Sequence, residues 1–584
     1  MLFSHLVSVF ERIEHQDGRT EMTRILSELL VAVDAQEARI ISYVSLGLLY
    51  PFFESTSFSL AEKTLSPLLA QWADASSDDW QRALSTSKDV ATVFEKFWQH
   101  NKHNEVSSRS IVDVYDQLVA IEKVQGNTSK ERKAQLLKKL LDESSATEAK
   151  FILRIILGVL RLGFSEMTFI DALSWMLCGS KKYSQQIENA FNVCADIGYI
   201  SHQLKSFGID GLSTISVTPG VPIRPAAAER MTSPDEIFNK LGECVSQPKL
   251  DGFRLQVHKY TDAHGEIIVK FFSRNLQEKS DVFPELTNAV RALPIDSLIA
   301  EGEAICFDLN TGFFLPFQET AKRGRKHLNA DVVESHPLKF FVFDILWANG
   351  KSLLDLPNHE RRTILESVIP IGGVVAPISQ TMCNSGHDVD AAFLHAISEG
   401  LEGTVIKRND TPYTPGKRNF NWIKLKRKET GELSDTIDCV IFGYYFGKGS
   451  RSALGIGAVL LGVYNPDTDQ YESIARCGSG PTEVEWTELK QLCDEIIAVE
   501  KPDNVAVSRE HAPDVWVYPK LVVVVRADEI TISPLHKAGK TEKNLGFALR
   551  FPRIMANRDD KSAEDSTTVA EVARLYELQT CKIN

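Results

Sequence analysis

From Met1 to about Ser213, apolar residues recur at helical spacing. The runs Met22-Thr-Arg-Ile-Leu-Ser-Glu-Leu-Leu-Val and Phe151-Ile-Leu-Arg-Ile-Ile-Leu-Gly-Val-Leu show it best, and the first third reads as all-helical. The pattern predicts that Gly163 closes the second of these helices and that Ser165 caps the next. The free N–H groups of such a turn suit a phosphate, although an ordinary interhelix turn has the same spacing. Val217-Thr-Pro-Gly-Val-Pro-Ile-Arg-Pro225 carries three prolines and a glycine, cannot continue a helix, and marks a connector. Beyond it, short β-branched and aromatic runs alternate with helices at Phe253 to Tyr260, Glu266 to Ser273, Ser297 to Phe307, Leu338 to Ile345 and Gly403 to Lys407. These predict an α+β domain with antiparallel sheets. A basic stretch, Lys417 to Lys428, closes it. Turn-punctuated strands then follow at Asp438-Cys-Val-Ile-Phe-Gly-Tyr-Tyr, Gly457-Ala-Val-Leu-Leu-Gly-Val-Tyr and Lys520-Leu-Val-Val-Val-Val-Arg, as in a small β-barrel. No internal repeat or low-complexity tract is present.

Composition adds limits. The 584 residues suffice for several cores, and 43% hydrophobic with 24% charged residues excludes a disordered chain. A net charge of −13 argues against wholesale polyanion binding, so any nucleic-acid contact must come from local basic patches. One lies between Leu401 and Gly431, where eight basic residues face three acidic ones. Nine scattered cysteines without a CxxC pair read as reduced thiols. The start of the chain lacks the pattern of a signal peptide. Apolar runs such as Leu521 to Val525 are far short of the ~20 residues that span a bilayer. The expectation is a soluble cytoplasmic protein.

The segment with most chemistry is Gln247-Pro-Lys-Leu-Asp-Gly-Phe-Arg254. Lys249 stands just before an Asp-Gly turn and Arg254 just after it, a placement suited to a nucleophile or to a surface hairpin. An ordinary lysine, with a pKa of ~10.4, is under about one part in a thousand free amine at neutral pH, so a nucleophilic one needs desolvation or nearby positive charge. Glu301-Gly-Glu303 and Glu402-Gly-Thr-Val-Ile-Lys407 add carboxylates near strand ends, which either hold divalent metal or sit solvated in turns. In Trp422-Ile-Lys424-Leu-Lys426 the alternation puts both lysines on one strand face, either as a phosphate clamp or as a charged edge. Phe343 is an aromatic able to stack on a base, or a core residue.

In this order the segments resemble the nucleotidyltransferase motifs of ATP-dependent polynucleotide ligases. The whole chain resembles the ATP-dependent DNA ligases of the archaeal and eukaryotic replicative type. Gly158-Val-Leu-Arg-Leu-Gly-Phe-Ser-Glu166 is similar to part of that family's DNA-binding domain. Gly443-Tyr-Tyr-Phe-Gly-Lys-Gly449, Arg476-Cys-Gly-Ser-Gly480 and Leu549-Arg-Phe-Pro-Arg-Ile554 with Arg558-Asp-Asp-Lys561 are similar to its OB-fold domain and last motif. The resemblance implies a helical DNA-binding domain (1–215), an adenylation domain (216–428) and an OB-fold domain (429–584). It implies that Lys249 takes AMP from ATP, that the AMP passes to the 5′-phosphate of nicked double-stranded DNA, and that the 3′-hydroxyl displaces it. It also implies that Gln247, Arg254, Arg274, Glu303, Phe343, Arg418, Lys424 and Lys426 contact the nucleotide, and that Glu303 and Glu402 hold Mg2+. Arg274 would lie near the ribose or the nick phosphate.

Three positions depart from the family pattern: Gln247 in place of glutamate, Pro225-Ala-Ala-Ala228 lacking a bulkier apolar pair, and Gly478-Ser-Gly480 in place of Gly-Thr-Gly. An RNA ligase or capping guanylyltransferase shares the core but not the helical domain or the Arg558 to Lys561 ending. An NAD-dependent ligase normally carries a four-cysteine zinc site that these cysteines cannot build by local spacing. A scaffold that has lost catalysis fits poorly with intact Lys249, Glu303, Glu402, Lys424 and Lys426. The reading further expects a monomer that encircles its duplex mainly through backbone contacts, association with the nucleoid in a prokaryote, and at most a faint sliding-clamp echo at Gln203-Leu-Lys-Ser-Phe207.

Overall fold

The computed structural model describes the chain except residues 17, 55–57, 88, 102–107, 127, 308–313, 316–319, 321–322, 324–334, 400, 427–435, 448–453, 542–543, 559 and 582–584. Arg427, Lys428, Lys448, Gly449, Asp559 and the expected boundary at 428/429 lie outside the described residues. The chain forms two compact units, Met1–Leu425 and Lys426–Asn584.

The first unit begins with helices from Phe3–Glu14 to Ile197–Phe207, packed around one apolar core that includes Phe10, Leu26, Phe94, Phe151 and Phe169. Capping boxes at Asp34, Ser110 and Ser145 satisfy free N–H groups at three helix starts. The helix expected to run to Gly163 stops at Ile156 instead. Gly158, Arg161 and Gly163 all take positive φ, which a helix does not allow, so the apolar run continues as an irregular loop up to the helix that starts after Ser165. Among the described residues no helix is long and apolar enough to cross a membrane.

Two sheets follow. One orders its strands β1 (Ala227–Arg230), β11 (Arg418–Lys426), β10 (Gly403–Arg408), β2 (Cys244–Lys249) and β9 (Thr381–Cys383). The other runs β4 (Ile267–Ser273), β3 (Phe253–Thr261), β5 (Leu298–Cys306), β6 (Leu338–Ala348) and β7 (Lys351–Ser352), with β8 (Val375–Pro377) beside β6. The sheets are mixed rather than purely antiparallel. The short strands β1 and β8 pair in parallel with β11 and β6, because long excursions of chain bring them back to those edges.

A polar network ties the connector to the second sheet. Glu301 Oε2 accepts from Arg254 Nη2 (2.9 Å) and from the Tyr413 hydroxyl (2.7 Å), while Oε1 accepts from Gln256 Nε2 (3.4 Å). Arg254 Nη1 donates to the Ala226 carbonyl and the Ala226 N–H donates to Tyr413, each at 2.8 Å. Gln256 exchanges two hydrogen bonds with the Ile223 backbone. His258 Nδ1 accepts from Gly220 N–H, which puts its proton on Nε2, facing Gln256. Full burial holds this imidazole neutral, with its pKa lowered to about 3.

A second tie joins the helical region to the α+β region. Arg224 N–H donates to the Asn192 carbonyl (2.8 Å) and Gly416 N–H to the Arg224 carbonyl (2.9 Å). Gly416 has φ +67°, and a Cβ there would come within 2.1 Å of Asn192 Oδ1, so only glycine fits.

The second unit contains an eight-stranded sheet. Its path runs β15 (Ile497–Ala498), β17 (Val515–Val517), β12 (Ile437–Tyr445), β13 (Ala458–Asn465), β14 (Gln470–Cys477) and β16 (Val505–Ala506). β18 (Val522–Arg526) joins β12 to β21 (Arg553–Asn557), and β19 (Glu529–Ser533) forms a separate hairpin with β20 (Gly546–Arg550). The pairings among the described strands do not close into a ring. The helix Val569–Cys581 packs on β19 and β13.

The Glu301 side chain is 1% exposed. Its removal would strand the Arg254 charge and the Tyr413 hydroxyl. Glu301→Ala is expected to destabilise the first unit by about 3–5 kcal/mol and Tyr413→Phe by about 1–2 kcal/mol, read from denaturant unfolding of the full chain.

Candidate nucleotide-binding site

A cavity of about 530 Å³ opens between the two sheets of the first unit. Seven basic and two acidic side chains line it, so it is strongly cationic although the chain is acidic. Its apolar wall includes Phe343, Trp422, Ile378 and Val405. A volume in the range of small-molecule pockets, one apolar wall and a cationic remainder match a nucleoside joined to phosphates.

Lys249 ends β2, where it pairs with Gly403 of β10. That register brings Glu402 alongside, and the Lys249 ammonium forms an ion pair with the Glu402 carboxylate. The following turn passes very close to β5: a Cβ on Gly252 would meet the Ala304 carbonyl oxygen at 2.3 Å. Gly252 N–H thereby reaches Glu303 Oε1 at 3.1 Å. Burial raises the Glu303 carboxyl from the ordinary 4.5 to about 7, against the opposing pull of Lys249 and of the Gly252 N–H.

Of the residues singled out in the sequence, Gln247, Lys249, Arg254, Arg274, Glu303, Phe343, Arg418 and Lys424 all line this cavity. Gln247 and Lys249 share one face of β2, and Gln247 Nε2 donates to Gln380 Oε1 at 3.4 Å. Arg274 and Arg418 are exposed. Among the described residues, buried Arg254 Nε has no hydrogen-bond partner, while its two other nitrogens are engaged. An oxygen of a bound nucleotide would satisfy it.

Two expected residues do not line the cavity. Glu402 pairs with Lys249, which does line it. Lys426, the last residue of β11, belongs to the second unit and lines a separate hollow there with Arg476 and Arg553. Lys424 and Lys426 flank buried Leu425 on β11, the same-face alternation read from the sequence, although the division into compact units falls between Leu425 and Lys426.

Several contributors went unrecognised in the sequence. Trp422 enters the cavity because the β1–β11 register jumps from Ala228↔Asn419 to Glu229↔Ile423, leaving three residues unpaired. Lys407 registered only as a lysine at a strand's far end, and Lys279 not at all. Glu301 stands two residues before Glu303, a period-two spacing that could have marked it as sharing Glu303's face.

Comparison with known proteins agrees with this architecture. Family models match residues 2–174 (DNA ligase N terminus), 225–426 (ATP dependent DNA ligase domain) and 452–561 (ATP dependent DNA ligase C terminal region). A probable DNA ligase of Dictyoglomus turgidum is 41% identical over 99% of this chain and 98% of its own length. A DNA ligase of Caldivirga maquilingensis is 35% identical over 99% and 97%. The solved structure described as Pmar-Lig_PreS3 is 16% identical, covers 94% of this chain and 99% of its own, and has a TM-score of 0.52, a likeness of fold. The chain is therefore an enzyme of the nucleotidyltransferase superfamily. Within it, the chain belongs to the ATP-dependent DNA ligase family, whose members join nicked duplex DNA and serve replication, repair and recombination.

The raised Glu303 carboxyl carries a stability signature. It holds its proton up to about pH 7 when folded, whereas in the unfolded chain it ionises from about 4.5. Its contribution is therefore fully present below about pH 4.5 and is lost as pH rises through about 7. Glu303→Gln cannot ionise. It should match wild type near pH 4.5 and be more stable by about 3 kcal/mol at pH 8, measured by unfolding at the two pH values.

Proposed function

We propose that this chain seals nicks in duplex DNA by storing AMP on Lys249. The observation that carries the reading is the placement of Lys249 at a cavity with an apolar wall, a cationic remainder and an unsatisfied buried donor on Arg254. In the first step Lys249 Nζ bonds to the α-phosphorus of ATP, the bond to the bridging oxygen breaks, and pyrophosphate leaves as the amine loses its proton. Phe343 stacks on adenine, Gln247 meets its edge, and Arg254 Nε reaches a nucleotide oxygen. Arg274, Arg418 and Lys424 neutralise phosphates as charge shifts to the leaving group. The 5′-phosphate of the nick then displaces lysine from AMP. The 3′-hydroxyl finally displaces AMP and closes the backbone.

Glu402 holds Lys249 before nucleotide arrives and, with Glu303, supplies carboxylates for Mg2+. Among the described residues no group of three or more metal-ligating side chains exists. Two carboxylates completed by phosphate oxygens suit magnesium, which is commonly held this way. When bound, the ion supplies charge neutralisation at the phosphates. The division into a DNA-binding domain (1–215), an adenylation domain (216–428) and an OB-fold domain (429–584) belongs to the same reading, as does action as a monomer. The three family matches, to an N-terminal, a central and a C-terminal ligase region, support the three-part division.

The test uses ATP labelled at the α-phosphate. Wild type should become labelled and pass the label to nicked duplex, whereas Lys249→Ala should take up none, a loss of at least about a thousandfold. The same variant should still seal a nick that is already adenylated. Unchanged labelling of Lys249→Ala would refute the assignment.

A further inference from the structure

The ladder between β5 and β6 is interrupted beside the cavity. Glu301 pairs with Asp344 and Gly302 with Val342, so Phe343 is an extra residue with no opposite number. A bulge of this kind re-aims a side chain and takes its backbone out of the ladder. Phe343 lines the cavity, and its carbonyl accepts from Lys407 Nζ at 2.9 Å. Lys407 lies on β10, in the other sheet, so one amine spans from that sheet to the bulge.

The surroundings of that amine are unusual for a lysine. Lys407 is 1% exposed, and its Nζ lies 4.0 Å from the centre of the Trp422 ring and 4.9 Å from that of Phe343. The nearest carboxylate oxygen, Asp344 Oδ2, is 3.8 Å away and already receives Arg361, whose two bonds to Asp344 measure 2.7 and 2.9 Å. Burial lowers the ammonium to about 7, with Asp344 opposing the shift and Arg361 adding to it. For stability alone, an apolar side chain of similar length would serve as well without desolvating an amine. What such a side chain could not do is hold the Phe343 carbonyl.

We propose that Lys407 is a positioning residue of the nucleotide site, its amine fixing the Phe343 bulge and so the pitch of the ring that receives the base. The proposal rests on the reading of Phe343 as the base-stacking residue.

The test measures steady-state sealing of nicked duplex by the full chain over a range of ATP concentrations for Lys407→Met, Phe343→Ala and the double variant, with thermal melting of each. Lys407→Met keeps the length of the side chain and removes the donor. It should raise KM for ATP on the order of tenfold with a much smaller loss of kcat, and melt no lower than wild type. The double variant should have the KM of Phe343→Ala, since Lys407 acts through that ring. Multiplying KM effects in the double variant would overturn the proposal, as would a fall in kcat and melting temperature without a change in KM. A wild-type KM in Phe343→Ala would remove the stacking reading itself. A raised KM there beside a wild-type KM in Lys407→Met would remove only the role of Lys407.

Discussion

The buried carboxylate of Glu301 is the interaction on which the site depends. Three donors from two places converge on it: Arg254 and Gln256 from β3, and Tyr413 from the segment before β11. Through Arg254, Tyr413 and Gln256 it also holds the backbone of the connector at Ala226 and Ile223. A carboxylate in this position is costly to bury, and the cost is offset because both oxygens and their donors are satisfied. Among the described residues Arg254 Nε has no partner in this network, and Arg254 lines the cationic cavity. The network and the cavity wall thus share a single side chain.

Opposed electrostatic demands meet within a few residues of that point. Glu303 is desolvated enough to keep its proton near neutrality, yet it lies close enough to Lys249 to feel its charge. Lys249 pairs with Glu402, so ammonium and carboxylate neutralise each other. The seven cations that line the cavity, with exposed Arg274 and Arg418 among them, outnumber its two acids and give it its sign.

Legibility in the sequence followed the range of the interaction. The Lys249, Asp251 and Gly252 turn was readable because everything it needs lies within six residues. Strands such as Phe253–Thr261 and Leu298–Cys306 were readable because alternation and β-branched content are local. Glu301 was missed because its partners, Gln256 opposite, Arg254 diagonal and Tyr413, are distant in sequence, and Trp422 because an irregular register turns it inward. The early end of the helix at Ile156 escaped because Leu157-Gly-Val-Leu keeps an apolar rhythm while Gly158 leaves helical geometry.

The seam at Gly416 bears on how such a chain can change over time. Arg224 bridges Asn192 of the helical region and Gly416 of the α+β region, and the glycine leaves no space for a side chain against Asn192. An exchange of the helical region for that of a distant relative would set an unfamiliar residue against this fixed slot. Recombination points compatible with a working chain should therefore fall away from the seam rather than at the proline-rich connector that looks, on paper, like the natural place to cut.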